Sequence, residues 1–85
     1  MPYIVKDRRE IIASGFVVPH TAGELNYALT MVCLSYLKEM GLGYQTCNDI
    51  VGALDNCKDE FRRRVQHPYE NDKIAQNGDI NGFAP

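Results

Sequence analysis

The sequence predicts an all-α protein: an antiparallel helical hairpin with short flanking N- and C-terminal helices, assembled as a helical oligomer. Three observations carry that prediction. Leu25, Leu29, Val32, Tyr36 and Met40 recur at steps of four, three, four and four, the spacing of one helix face. Ile50, Leu54, Cys57, Phe61 and Val65 repeat the same steps. Only a short loop separates the two stripes, which favours antiparallel neighbours. The 85 residues have room for one domain, with an extended arm over 1–6, hairpin helices over about 21–40 and 49–66, and a fraying tail over 79–85.

Each element follows from its own residues. Tyr3, Ile4 and Val5 give the opening arm its apolar area, and Asp7 is placed to cap a short helix, DRREIIAS, that Gly15 ends. Pro19 biases Val18 towards extended backbone, so GFVVPH reads as a connector that docks on the long helix, with an edge strand as the alternative. Thr21 with Glu24 three residues on has the capping-box spacing, in which the threonine accepts from Glu24 N–H and the glutamate reaches back to Thr21 N–H. Gly41 supplies the positive φ that ends the first long helix.

LGYQTCND reads as a loop whose Thr46 or Asn48 caps the second long helix. Gly52 inside that helix lowers its propensity by roughly 1 kcal/mol, which suits a place where another helix comes close. Pro68 is expected to break or bend the helix at His67 and to open a third, shorter one, PYENDKIAQ, that Gly78 closes. The first long helix is also apolar at Ala28, Met31, Cys33, Leu34 and Leu37. A stripe that wide needs cover on several sides, more than one chain of this size supplies, so the expected assembly is a homo-oligomer, a dimer or higher.

Composition narrows the function. A net charge of −2 gives no global reason to bind nucleic acid or an anionic membrane. No apolar run is long enough to span a bilayer and the start has no signal-peptide core, so the expected location is the cytoplasm. Cys33, Cys47 and Cys57 are odd in number and lack a Cys-x-x-Cys pair, which argues against a disulfide framework and against a zinc site with His20 and His67. Cys33 and Cys57 fall on apolar positions as small hydrophobes. Cys47 is left as a loop thiol that nothing singles out as a nucleophile, and no phosphate loop, serine elbow or His-Glu-x-x-His motif is present. The expectation is a protein that is not an enzyme and needs no cofactor.

Two groups can contact a ligand. Arg62, Arg63, Arg64, His67, Tyr69 and Lys73 form the densest polar stretch, and arginine forks suit phosphate or carboxylate. Against that, Asp59 and Glu60 stand four residues before Arg63 and Arg64, and basic residues near a helix C-terminus complement its dipole without any ligand. Asn26 and Tyr27, near a helix N-terminus, form the second group, and an interhelical hydrogen bond explains them equally well.

MPYI at the start, GELNY at the head of the long helix, the FRRRV and PYE segment and the KI to NGD ending resemble a family of small proteins found in bacteria, archaea and their phages, without an assigned activity. The resemblance runs over nearly the whole chain and brings no catalytic residues with it. It implies a setting, that of a small intracellular accessory protein which phages also encode. Two roles fit. One is sequestration of an anionic small molecule, such as a signalling nucleotide, at an oligomer junction built from Arg62–Arg64, His67, Tyr69 and Lys73 of one subunit and Asn26 and Tyr27 of another. The other is docking on a host or phage protein through the apolar helix face and the tail.

Overall fold

The computed structural model describes residues 4–82 and is all-helical, with no strand among the described residues. The helices are α1 (Lys6–Ser14), α2 (Ala22–Met40), α3 (Tyr44–Phe61) and α4 (His67–Asn77), with a π-helical turn, Arg62–Gln66, between the last two. The chain divides into two units, Met1–Ser35 and Tyr36–Pro85. Tyr3 of the expected arm and Phe83–Pro85 of the expected tail lie outside the described residues.

In the first unit, α1 starts one residue before Asp7. Val5 holds the cap position with extended backbone and no side-chain cap, and Asp7 sits in the first turn, where its charge complements the helix dipole. Gly15 ends α1 by donating its N–H to Ile12 O at 3.3 Å. The connector that follows does not dock: Phe16, Val17 and Val18 stand exposed, Val17 at 88%. It is held at its ends instead, by Phe16 N–H on Ala13 O at 3.2 Å and by His20 N–H on the Glu24 carboxylate at 3.2 Å.

The cap of α2 forms with one change. Glu24 N–H donates to Thr21 Oγ1 at 3.0 Å, but the glutamate reaches His20 N–H rather than that of Thr21. Within the helix, Thr30 and Ser35 return their hydroxyls to the carbonyls of Asn26 and Met31 at 2.8 and 2.9 Å, so neither leaves a free donor on the surface.

In the second unit, Gly41 takes φ +83°, the left-handed conformation that closes a helix, and its N–H reaches Leu37 O at 2.8 Å. The turn is shorter than the sequence suggests. Only Gly41, Leu42 and Gly43 separate the helices, because α3 starts at Tyr44 and not near Asp49. The cap position is Gly43, without a side-chain cap, and Cys47 N–H already closes on Gly43 O at 3.0 Å, so Cys47 is a helical residue and not a loop thiol. Asp49 binds this early start together: it accepts from Gln45 Nε2 at 2.7 Å, one turn back, and from the Tyr36 hydroxyl at 3.1 Å. Thr46, the residue expected to cap, is the one buried residue among those described.

Pro68 does not break the helix. His67 keeps helical backbone at φ −64°, ψ −45°, and α3, the π turn and α4 run on without interruption. The reason lies in the hydrogen-bond ladder. Proline has no N–H, and its ring crowds the carbonyl four residues back, here that of Arg64. The π turn widens the helix just ahead of it, with His67 N–H bonding five residues back to Arg62 O. Gly78, at φ +83°, then closes α4 as expected. Gly52 faces open space, since a Cβ there would meet nothing within 4 Å among the described residues.

Both apolar stripes stand largely in solvent. Leu25, Val32 and Met40 on α2 and Leu54, Phe61 and Val65 on the second helix are all exposed, Phe61 at 60%. Cys57, expected as buried filler, is exposed as well, and Cys33 is half-buried. The physical reason is that within each unit these faces meet no layer of apolar side chains among the described residues.

Candidate functional site

The dense polar stretch falls on the π turn and the first turns of α4. A π turn advances each residue by about 80° instead of 100°, and the three arginines still leave the helix in different directions. Two of them are brought back to one acceptor. Glu60 takes Arg63 Nη2 at 3.1 Å and Arg64 Nε at 2.8 Å, three and four residues on. Glu60 thus does what the sequence divided between Asp59 and Glu60. Both arginine side chains remain well exposed, so these pairs are solvated and screened. Arg62 has no partner among the described residues.

Further along, the Lys73 ammonium lies over the Tyr69 ring, 5.5 Å from its centroid, within cation–π range. It also reaches Gln76 Oε1 at 3.5 Å. A shallow hollow beside this pair is lined by Glu70, Lys73, Ile74, Asn77, Gly78, Asp79 and Ile80. One cation facing two carboxylates over an apolar floor is the wrong balance for an anion. His67, at the start of α4, is exposed. Asn26 and Tyr27 belong to the first unit, on the first turns of α2, where Asn26 O accepts from Thr30 and Tyr27 stands 67% exposed.

Among the described residues the candidates thus form two local pairings, arginine on Glu60 and lysine on Tyr69. Among the described residues, no group of three or more His, Cys, Asp and Glu stands together to hold a metal ion. No described helix is long and apolar enough to cross a membrane.

Sequence reading overlooked the knot of Tyr36, Gln45 and Asp49. Gln45 and Asp49 do stand at helical spacing, but only the three-residue turn brings Tyr36 within reach. The hydrogen bond to Asp49 raises the Tyr36 pKa above its ordinary 10.0, with desolvation and the Asp49 charge adding in the same direction. The knot fixes the entry to α3.

No curated protein and no solved structure matches the chain. A family model described as "Domain of unknown function (DUF6899)" matches residues 1–80. The chain, an all-helical protein whose polar residues pair locally, belongs to that family.

Proposed function

We propose that this chain is a non-catalytic accessory protein of the cytoplasm, of the kind phages encode, that works as a homo-oligomer and engages a second protein through helix faces. In the assembled form α2 and α3 lie antiparallel as a hairpin, and hairpins from different copies share one apolar core. The observation that carries this reading is the exposure of both stripes: Leu25, Val32, Met40, Leu54, Phe61 and Val65 all remain exposed in the single chain. Exposed apolar patches of that extent mark association surfaces. The three-residue connector supports the hairpin, since helical hairpins use turns of about two to five residues. Sedimentation equilibrium tests it: a mass of two or more chains at micromolar concentration is expected, and a single-chain mass of 9.6 kDa at every loading overturns it.

A second reading, capture of an anionic small molecule such as a nucleotide at the junction between copies, is favoured by two groups. Arg62 lacks a partner among the described residues, and Tyr69 offers a ring already flanked by a cation at 5.5 Å. A hundredfold excess of a true ligand over its dissociation constant stabilises by about 2.7 kcal/mol, so a nucleotide panel that leaves melting unchanged removes this reading.

A further inference from the structure

Residues spaced by four on an α-helix fall about 40° further round at each step. Counted that way from Phe61, Val65 would drift by about 40° and Tyr69 by about 80°, and the face built by Ile50, Leu54 and Cys57 would be lost by Tyr69. The π turn at Arg62–Gln66 cancels the drift. With roughly 4.4 residues per turn over that stretch, Val65 comes back to within about 30° of Phe61 and Tyr69 to within about 10°. One line of apolar side chains thus follows the continuous helix past the residue that forced the turn.

Phe61, Val65 and Tyr69 are exposed at 60, 51 and 60%. In the hairpin proposed above, α2 has 19 residues, against 18, 5 and 11 in α3, the π turn and α4. Laid back from a three-residue turn, α2 reaches about as far as residue 62, at 1.5 Å per residue on both helices. Val65 and Tyr69 lie beyond it. We propose that a second copy of this chain covers the Phe61–Val65–Tyr69 line, and that the π turn imposed by Pro68 is what keeps Tyr69 on it. The inference rests on the self-association reading and names where the copies meet.

The area fits a symmetric pair. At these exposures the three side chains offer roughly 350 Å² per chain. Two copies of the line bury about 700 Å², the size of a weak interface, to which the apolar core proposed for the joined hairpins adds. An identical stripe on each copy is what a two-fold interface requires. Lys73 suits its rim, with its stem along the Tyr69 ring and its charge in water.

Sedimentation velocity on the full chain and three variants tests this, with circular dichroism to confirm helix content. Pro68→Ala restores the missing N–H and lets the segment revert to α-helix, turning Tyr69 about 90° off the line. It is expected to keep or raise helicity while weakening self-association tenfold or more. Tyr69→Ala is expected to weaken it by a similar factor. Ile74→Ala, some 130° away from Phe61, is expected to leave it unchanged. Wild-type dissociation constants for Tyr69→Ala, or an equal loss in Ile74→Ala, overturn the seam with the oligomer still standing. Loss in Tyr69→Ala without loss in Pro68→Ala overturns the role given to the proline. A wild-type chain that sediments as a monomer overturns the self-association reading and this inference together.

Discussion

Thr21→Ala is the sharpest test of how this chain makes its helices. The Thr21 hydroxyl accepts the Glu24 N–H at 3.0 Å, one of the four N–H groups that the start of α2 leaves without a helical partner. Neither residue is buried, so the substitution opens no cavity and the loss is that of the cap alone. Replacing such a cap by alanine costs about 1 kcal/mol, within a range of roughly 0.5–2. For a domain of this size each kcal/mol moves the midpoint by about 4–8 °C. Thermal melting followed at 222 nm should therefore show Thr21→Ala lower by about that amount and Thr21→Ser close to wild type. Glu24→Ala, which frees His20 N–H and removes a carboxylate from the positive end of the helix, should lose about 0.3–1 kcal/mol. An unchanged midpoint in Thr21→Ala would mean that the start of α2 is fixed by packing and not by its cap.

The other predictions concern the second unit. Tyr36 has a folded pKa above its ordinary 10.0, so the stability from its bond to Asp49 is fully present below about pH 10 and is lost as pH rises through the raised value. Tyr36→Phe should lower the denaturant midpoint between pH 7 and 9 and lose that difference in strong alkali; a constant gap at all pH values would contradict the assignment. Gly41→Ala, at φ +83° with no described residue within 4 Å of the added Cβ, should cost about 1–2 kcal/mol through backbone strain. Gly52→Ala should do the reverse and gain about 1 kcal/mol in urea unfolding, because the Cβ meets nothing within 4 Å among the described residues and lies about 160–200° from the Ile50–Leu54 line. Glu60→Gln releases Arg63 and Arg64 from exposed pairs and should change stability by no more than about 1 kcal/mol.

Caps and periodicity were the legible part of the sequence. Thr21, Gly41 and Gly78 each do what their spacing foretold, because a cap is decided by residues within one turn of it. The start of α3 was misplaced because the polar residues Thr46, Asn48 and Asp49 compete for a cap, whereas Asp49 is occupied by Gln45 and Tyr36. Pro68 misled for a related reason. Disfavoured helical geometry at His67 predicts a break or bend there and a new helix after it; α4 does begin at that point, but a π turn absorbs the missing N–H and the crowded carbonyl without ending the helix. The arginines were recognisable as partners for nearby carboxylates, while the convergence of two of them on Glu60 depends on side-chain reach that spacing does not fix.

If the helices complete their core by joining other copies, as proposed above, folding and association are linked. Melting monitored at 222 nm across a hundredfold range of protein concentration tests that most directly. Linked folding gives a midpoint that climbs steadily with concentration, as mass action requires when only the assembled form is stable. A midpoint that stays constant across the range, with a sharp two-state transition, would contradict it.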